Sequence, residues 1–365
     1  MKKFIPKINL KTIIHVVGNR PQFIKLAVLY NEISKEKSMQ QLIVHTGQHF
    51  SYGMSEIFFK ELHIPQPTIN FNIQNSSANL FIGQAAETLR SYFLQQKNSV
   101  VFVYGDTNTT LAAAMAANQN AMPLIHFEAG VRTYENNMPE ETNRIFTDRL
   151  AQVNYCCTEH NIQTMQHEGY GKVIPGAILL TGDLMLDAFL KIAPSAKKII
   201  DNREYVVCTI HRDANLSNQN NLANITAALN SIHKNINVVM PLHPHTKKKM
   251  EAYGLTPNFK LLPPLGYRDM KNLLTNAAYI ITDSGGTARE AFFLKKKSLI
   301  VMDNPFWPEI IAQKCSINSL PKEEMLIEKF NQLPALQSNF TENIFGDGNA
   351  AKNIHQHLSS YLATL

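Results

Sequence analysis

The sequence has no long hydrophobic run, no arginine-rich tail and no low-complexity segment. Its longest apolar stretches fall short of the roughly eighteen residues that a membrane-spanning helix needs, so no membrane insertion is expected. The basic segment 1–11 is not followed by an apolar stretch of the length typical of secretory signal peptides. These absences predict a soluble cytoplasmic protein.

Charge and cysteine content also exclude whole classes of function. Lys and Arg number 35 against 29 Asp and Glu, giving a net charge of +6 that is spread along the chain. The densest basic runs, 247–249 and 295–297, are short and typical of solvated surface, so no nucleic-acid partner is expected. A diffuse positive charge instead suits an anionic small ligand such as a nucleotide. The four cysteines lack metal-ligand spacing and are predicted to be buried free thiols in a reducing compartment.

The length of 365 residues suits two domains, and the hydrophobic pattern is repeated accordingly. Apolar β-branched runs alternate with longer amphipathic ones over residues 12–181, and the alternation restarts near residue 205. Near-continuous apolar strands with helical crossovers predict parallel sheets covered on both faces. The predicted fold class is therefore α/β, with two doubly wound Rossmann-like domains and a helical tail over residues 350–365.

Polar strings follow most of the predicted strands, where ligands of open parallel sheets bind. In the first half these strings are residues 18–20, 47–49, 105–107 and 128–130; in the second half they are 211–212, 243–245 and 283–286. Two such polar rims predict a cleft between two facing domains.

The string at 282–286, Thr-Asp-Ser-Gly-Gly, leads into a predicted helix. Gly285 and Gly286 permit close backbone approach, and the helix N-terminus after Ser284 offers N–H groups to a phosphate. Glu290, one to two turns into the helix, is placed to accept hydrogen bonds from ribose hydroxyls. A Gly-Gly pair alone fits any tight turn, but the full string favours phosphate binding.

Cations and histidines follow three of the other strands. Arg20 and Lys25, taken alone, are typical of a pair of surface cations. His211 and Arg212 end one strand, and His243 and His245 end the next. The His-x-His pattern of the second pair is weak evidence for a metal. Contacts to a diphosphate fit these side chains better, with ordinary core or surface histidines as the alternative.

Three acids, Asp106, Glu128 and Glu140, lie near strand ends or in adjoining loops. Proton abstraction from carbon needs such a base together with a partner acid. Exposed carboxylates are the alternative, and Asp106 equally fits the N-cap of a helix starting near Thr109. Glu128 lies at the end of an apolar strand and is followed by Ala129 and Gly130, so its side chain is expected to be partly buried.

Together these strings resemble the non-hydrolysing UDP-N-acetylglucosamine 2-epimerases over nearly the whole chain and in the family's order. The matching segments are residues 17–25, 45–49, 104–110, 126–133, 138–144, 211–212, 282–286, 307–309 and 345–348. The resemblance implies a glycosyltransferase-B-like pair of domains. The first would comprise 1–182 plus 350–365, with the C-terminal helix crossing back onto it, and the second would comprise 183–349.

The resemblance also implies the reaction. UDP would lie on the second domain and the sugar would face the first, and C2 of a UDP-2-acetamido sugar would be inverted, converting UDP-GlcNAc to UDP-ManNAc. Elimination of UDP to a 2-acetamidoglycal and its re-addition would need no metal, nicotinamide or other cofactor. A homodimer is expected, with a UDP-sugar as the ligand.

Carried over residue by residue, the resemblance assigns two sets of site residues. The catalytic set is Asp106, Glu128, Glu140, His211, Arg20 and Lys25. The substrate- and UDP-binding set is Arg20, His49, Arg212, His243, Ser284, Gly285, Gly286 and Glu290. Which acid removes the C2 proton stays open.

The sequence departs from the family's pattern at two places. Residues 213–215 replace the Arg and Glu that much of the family has after His-Arg, and residues 71–75 lack the basic residue of an allosteric UDP-GlcNAc site. The strings His-Arg-x-x-Asn and Trp-Pro-Glu are similar to a branch that includes 2-epimerases of modified sugars such as UDP-2,3-diacetamido-glucuronate. A hydrolysing epimerase or a glycosyltransferase of the same fold is also compatible with the sequence.

Overall fold

The computed structural model describes residues 11–36, 39–47, 59–74, 77–135, 138–201 and 204–365. The chain divides into two compact units. Unit 1 comprises Met1–Arg132, Asn136–Ala188 and Phe345–Leu365, and unit 2 comprises Thr133–Glu135 and Phe189–Ile344. Each unit is built around one parallel sheet, which confirms the prediction of two doubly wound Rossmann-like domains.

The strands of the described residues are, in chain order, β1 (Lys11–Val17), β2 (Met39–His45), β3 (Ile69–Asn70), β4 (Ser99–Tyr104), β5 (Leu124–Ala129), β6 (Val153–Cys156), β7 (Ala177–Leu180), β8 (Tyr205–Thr209), β9 (Asn237–Pro241), β10 (Lys260–Leu262), β11 (Tyr279–Thr282), β12 (Ser298–Ile300) and β13 (Ser316–Asn318). The first seven form the sheet of unit 1 and the other six form the sheet of unit 2.

The α-helices of the described residues are α1 (Arg20–Ile33), α2 (Ala78–Phe93), α3 (Asn108–Gln119), α4 (Pro139–Leu150), α5 (Glu159–His167), α6 (Leu184–Lys191), α7 (Asp213–Leu216), α8 (Gln219–His233), α9 (Pro244–Ala252), α10 (Tyr267–Thr275), α11 (Gly285–Phe293), α12 (Pro308–Ala312), α13 (Glu323–Gln332) and α14 (Ala350–Thr364). A 3₁₀ helix follows α13 at Leu333–Ala335.

The sheet of unit 1 has the order β3-β2-β1-β4-β5-β6-β7, and all its pairs are parallel. Strand β4 is buried at every position, as expected for a central strand covered on both faces. The strand order reverses between β1 and β4. Open α/β sheets bind ligands in the crevice at such a reversal. The loops after β1 and β4 are therefore expected to form the ligand site of unit 1.

The sheet of unit 2 has the order β10-β9-β8-β11-β12-β13 and is also parallel throughout. Its order reverses between β8 and β11. The predicted polar strings at 211–212 and 283–286 follow these two strands, so both lie at the reversal.

The C-terminal helix belongs to unit 1, as the resemblance implied. Helix α14 packs against α1, and the carboxylate of Asp187 accepts hydrogen bonds from the backbone N–H groups of Ala350 and Ala351 at 3.0 and 2.9 Å. These two bonds satisfy donors that a helix N-terminus otherwise leaves without partners. The buried carboxylate thereby anchors the returning helix.

Three further predictions from the sequence concern the cysteines and two helices. All four cysteines are buried free thiols, as predicted. The hydrophobic pattern predicts a helix over 145–151, but helix α4 begins earlier, at Pro139, because a proline fits the first turn and the acids that follow it favour a helix N-terminus. The pattern also predicts a helix over 54–62, which lies largely outside the described residues. Within the described ranges, no helix has the length and apolar character needed to cross a membrane.

Candidate active site

The loops after β1 and β4 are tied together by Gln22, which the sequence did not single out. Its Oε1 accepts from the N–H of Gly18 at 2.7 Å, and its Nε2 donates to the carbonyl of Tyr104 at 2.8 Å. Gly18 is also required by space, since a Cβ there would lie 2.2 Å from Oγ1 of Thr109. The start of α1, which carries Arg20 and Lys25, is therefore held against the end of β4.

Lys25 and Glu128 form an ion pair inside unit 1. Nζ of Lys25 lies 2.5 Å from Oε2 of Glu128, and the two side chains are 4% and 12% exposed. A Cβ at Gly105 would lie 3.4 Å from that Nζ and 3.9 Å from Oε1 of Glu128. The pair therefore lies directly beside the backbone that leads into Asp106.

The backbone at Glu128 is in the left-handed region, with φ of 74°. The register between β5 and β6 shifts between Phe127 and Ala129, so Glu128 is the extra residue of a β-bulge. A non-glycine residue in this conformation costs about 1–3 kcal/mol, and such strain concentrates at functional sites. The bulge turns Glu128 out of the regular alternation and towards Lys25.

Asp106 is held by Arg144, a residue that the sequence analysis missed. The guanidinium of Arg144 is buried and pairs with both Asp106 and Glu141. Burial alone lowers the pKa of Arg144, but the neighbouring carboxylates outweigh this and raise the pKa above its usual value. Asn143 also donates to the carbonyl of Asp106 at 2.9 Å. The signal for Arg144 was present in the family string at 138–144.

The alternative role of Asp106 as a helix N-cap is wrong. Helix α3 begins at Asn108 and its N-cap is Thr107, whose side chain accepts from the N–H of Thr110. Asp106 is therefore one residue too early to cap the helix, and its carboxylate pairs with Arg144 instead.

Glu140 is on a helix and not in a loop, which corrects the prediction. It lies in the first turn of α4 and is partly exposed. Its charge contributes to the raised pKa of Arg144, which stands one turn further along the same helix. Arg144 thus links Glu140 electrostatically to Asp106.

In unit 2, the buried carboxylate of Asp283 draws the loops after β8 and β11 together. It accepts from the backbone N–H of His211 at 3.1 Å and from that of Arg212 at 3.0 Å. The side chain of Asn215 donates to the same carboxylate at 3.0 Å. Asp283 therefore sets the position of His211 and Arg212 at the reversal point of the sheet.

The histidines and the arginine of unit 2 are arranged around this carboxylate. The side chain of His211 is 42% exposed, and its ring lies 6.3 Å from that of His243 between centroids. Arg212 donates from Nε to the carbonyl of Asp283 at 2.7 Å and stacks over the ring of Phe306, with Cζ 4.1 Å from the centroid. The two histidines and the arginine belong to one cluster, as their strand-end positions predicted.

Helix α11 begins at Gly285, and Ser284 is its N-cap, with a side chain that accepts from the N–H of Thr287. The first-turn N–H groups of a helix point outwards and favour anions. A Cβ on Gly285 would press on the ring of Phe306 at 3.0 Å, whereas one on Gly286 would meet only Oγ of Ser284 at 3.6 Å. Glu290 is buried on the same helix. His49, also assigned to the site, lies outside the described residues.

Among the described residues, one group has the proximity that a metal ion needs. Ligand atoms of Glu128, Cys157 and Asp183 all lie within 4.8 Å of one another. The ammonium of Lys25 already neutralises Glu128 at 2.5 Å, so the group is a poor fit for a cation. That the site works without a metal stays a prediction.

Two parallel Rossmann-like sheets, each with a polar cluster at the point where its strand order reverses, define a glycosyltransferase-B-like protein. A sequence profile of the family described as UDP-N-acetylglucosamine 2-epimerase matches residues 31–359. The chain belongs to this family.

Individual relatives resemble the chain over nearly its whole length. The UDP-2,3-diacetamido-2,3-dideoxy-D-glucuronate 2-epimerase of Pseudomonas aeruginosa is 35% identical over 353 residues, which cover 95% of this chain and 99% of that protein. The UDP-N-acetylglucosamine 2-epimerase of Methanocaldococcus jannaschii is 31% identical over 357 residues, covering 93% and 96%.

Solved structures also resemble the chain over nearly its whole length. The Methanocaldococcus jannaschii UDP-GlcNAc 2-epimerase in complex with UDP-GlcNAc and UDP superposes with a TM-score of 0.88 at 30% identity, covering 96% of this chain and 99% of that one. The Neisseria meningitidis enzyme bound to UDP-GlcNAc gives a TM-score of 0.84 at 28% identity, covering 96% and 100%.

Proposed function

We propose that this protein catalyses the non-hydrolysing epimerisation at C2 of a UDP-2-acetamido sugar, with UDP-GlcNAc as substrate and UDP-ManNAc as product. The observation that carries the proposal is the pairing of Lys25 with the strained Glu128 beside the Asp106 loop, in a chain of the epimerase family. A protein that only binds nucleotides has no need for such a group of acids.

The chemistry explains why both units carry polar clusters. The proton on C2 is not acidic enough for simple abstraction, so the C1–O bond breaks, its electron pair leaves with UDP, and a carboxylate takes the C2 proton. This forms the C1–C2 double bond of a 2-acetamidoglycal. UDP then adds back to C1 while a proton is delivered to the other face of C2. Cations on the departing diphosphate supply much of the catalysis.

The roles divide between the two units. In unit 1, Asp106, Glu128 and Glu140 are the proton-transfer groups, with Lys25 as the counter-ion of Glu128 and Arg20 as a cation for the diphosphate. In unit 2, His211 is a catalytic cation, and the UDP-binding groups are Arg212, His243, Ser284, Gly285, Gly286 and Glu290. His49 is proposed to contact the substrate on the strength of its sequence string alone.

A modified sugar is the second candidate substrate. The relative from Pseudomonas aeruginosa acts, by its name, on UDP-2,3-diacetamido-2,3-dideoxy-D-glucuronate, and it is 35% identical over 95% of this chain. The same C2 chemistry applies to that sugar, because the acetamido group at C2 and the UDP at C1 are shared. The two candidates differ only in the groups at C3 and C6.

Incubation of the protein with each UDP-sugar in deuterium oxide, without an acceptor, tests the proposal by proton NMR. The expected result is deuterium at C2 of a sugar that remains linked to UDP. Release of free sugar and UDP would indicate a hydrolysing epimerase, and unlabelled substrate would favour a glycosyltransferase or a binding protein. The Asp106→Asn variant is the control, since it should bind UDP without labelling C2.

We also propose that the enzyme is a homodimer that acts in the cytoplasm. Helix α4 exposes Ile145 and Phe146, which are 39% and 56% accessible, and a dimer interface would cover such apolar side chains. Four free thiols suit a reducing compartment. Light scattering at micromolar concentration tests the dimer, and the Phe146→Glu variant should then run as a monomer.

A further inference from the structure

His126 is a buried histidine whose two ring nitrogens both face acceptors. Its Nδ1 lies 2.7 Å from Oδ1 of Asp148 and its Nε2 lies 2.8 Å from the carbonyl of Gly105. A carbonyl oxygen and an ionised carboxylate can only accept hydrogen bonds. The geometry therefore points to donation from both nitrogens, that is, to an imidazolium with no exposed surface.

The carboxylate of Asp148 spans the bulge that contains Glu128. One oxygen binds His126, two residues before Glu128, and the other accepts from the N–H of Gly130, two residues after it, at 3.2 Å. Burial raises the pKa of Asp148, but the hydrogen bond from His126 and the charge of Arg132 outweigh this and hold the pKa below its usual value. The ionised carboxylate of Asp148 thus forms a brace, because it bonds to the chain on both sides of Glu128, the residue with the left-handed backbone.

The same imidazolium holds the loop that carries Asp106. The carbonyl of Gly105 accepts from His126, and its N–H donates to the carbonyl of Phe127 at 2.8 Å. Gly105 has φ of 62°, so its peptide groups are turned away from a regular strand. The N–H and the carbonyl of this glycine are therefore both hydrogen-bonded to β5. These two bonds set the direction in which the chain enters Asp106.

The charges around His126 balance. Arg132 pairs with Asp148 at 2.8 Å and with Glu168, on the far side, at 2.8 Å. Cys156 and Tyr170 are the other titratable groups that interact with this carboxylate, and burial raises the pKa of each, so both stay neutral near neutral pH. Two cations therefore face two carboxylates.

We propose that His126 and Asp148 are positioning residues for C2 proton transfer. The imidazolium of His126 positions Asp106 by holding the carbonyl of Gly105. The carboxylate of Asp148 keeps Glu128 in its strained backbone conformation. Neither side chain touches the substrate in this assignment. The inference rests on the proposed epimerisation, which it deepens by naming the residues that hold two of its three acids.

The Asp148→Asn variant tests the proposal with almost no change in shape. An amide has one oxygen, so it cannot accept from both His126 and Gly130 while facing Arg132. Misplacing a catalytic group by about 1 Å can cost roughly a hundredfold in rate, so kcat for deuterium labelling at C2 should fall roughly ten- to a hundredfold. The KM and the UDP affinity should stay within about twofold, because unit 2 is untouched.

Glu168→Gln is the matched control, since it removes a carboxylate from the outer end of the same charge network. It should lower the melting temperature slightly and leave kcat within about twofold. If it lowers kcat as much as Asp148→Asn does, the effect is one of general charge and the proposal is overturned. An unchanged kcat in a folded Asp148→Asn variant would overturn it as well.

Nitrogen-15 NMR of the histidine rings provides a test that does not depend on activity. The His126 signals, assigned by their loss in His126→Phe, should show both ring nitrogens protonated in the wild type at about pH 7. A neutral ring would overturn the proposal even if Asp148→Asn failed to fold. If the wild type labels no UDP-sugar, the proposed reaction fails, while the ring measurement still decides the protonation on which the brace depends.

Discussion

Nζ of Lys25 lies 2.5 Å from Oε2 of Glu128, and the glutamate reaches that position from a backbone with φ of 74°. The lysine comes from the first helix of unit 1 and the glutamate from the end of β5. The contact therefore joins α1 to the end of β5, the strand next to β4. It also gives the partly buried Glu128 a counter-ion within unit 1.

Breaking this pair should destabilise the protein. Removing one partner of a buried pair leaves an uncompensated charge and typically costs about 3–5 kcal/mol, so Lys25→Met should lower the free energy of unfolding by about 3 kcal/mol. Glu128→Gln should also destabilise, and the double variant should lose less than the sum of the two. A double-mutant cycle from urea unfolding measures this coupling, which should exceed about 1 kcal/mol.

The ion pair of Lys35 with Glu32 is the control for that cycle. It has the same N–O distance of 2.5 Å and lies at the end of the same helix, but its lysine is 68% exposed. Solvent screens such a pair, so Lys35→Met should change stability by about 0.5 kcal/mol or less. Equal effects at Lys25 and Lys35 would contradict the view that burial makes the Glu128 pair different.

Amide variants of the three acids should separate catalysis from binding. Asp106→Asn, Glu128→Gln and Glu140→Gln each remove a group that can move a proton, so turnover should fall by about a hundredfold or more. The UDP affinity should stay within about twofold, since its proposed contacts are mainly in unit 2. Glu159→Gln, an exposed acid in the first turn of α5, should behave as the wild type. Normal turnover in all three amide variants would count against the assignment.

A substitution at Gly286 tests the proposed phosphate contact at the turn 284–286. A Cβ there finds room, whereas one at Gly285 meets the ring of Phe306 at 3.0 Å, so only the Gly286 variants leave the fold undisturbed. Gly286→Val should place a side chain where UDP is proposed to bring its phosphate. Losing one hydrogen bond to a charged group costs about 1.5–3 kcal/mol, which corresponds to roughly ten- to a hundredfold weaker UDP binding.

Calorimetric titration of UDP measures this effect, with Gly83→Val as the control. Gly83 is on helix α2, and a Cβ there would have no neighbour within 4 Å. Addition of EDTA should leave the wild-type affinity unchanged, as the resemblance implies a site without metal. Loss of binding with EDTA would show that a metal takes part.

Stability should depend on pH through His15. Burial lowers the pKa of this histidine to about 4, and the hydrogen bond with Gln41 offsets the effect only in part. Between the unfolded pKa of 6.5 and about 4, the unfolded chain therefore binds a proton that the folded protein does not. Stability should fall as the pH drops through this window, by about 3 kcal/mol in total, and level off below it.

Urea unfolding at about pH 7 and about pH 4 isolates this contribution when the wild type is compared with His15→Gln. The variant lacks the titrating group, so its stability should fall less over the same interval. His167→Gln, at an exposed position on α5, should show the full wild-type dependence. A His15→Gln variant that loses as much stability as the wild type would exclude the mechanism.

Much of the fold could be read from local pattern, because strand and helix periodicity and turn chemistry depend on residues close in sequence. The two sheets, the C-terminal helix and the glycine turn before α11 follow from such signals, whereas the return of that helix to unit 1 was implied only by the family resemblance. Short elements such as β3 and α9 do not, since few residues carry their periodicity. The start of α4 at Pro139 was recoverable from its helix-start signals.

The α/β class, the polar strings at the strand ends and the family can all be recognised in the sequence alone. How these residues are held is visible only in three dimensions: Gln22 bonds to the end of β4, Arg144 pairs with Asp106, and His126 pairs with Asp148. These partners lie between 22 and 82 residues apart along the chain. Parallel crossovers bring them together at one edge of a sheet, and a hydrogen bond across such a distance leaves no periodic trace in the sequence. The left-handed backbone of Glu128 is of the same kind, because it arises from the register between β5 and β6 and not from the identity of the residue.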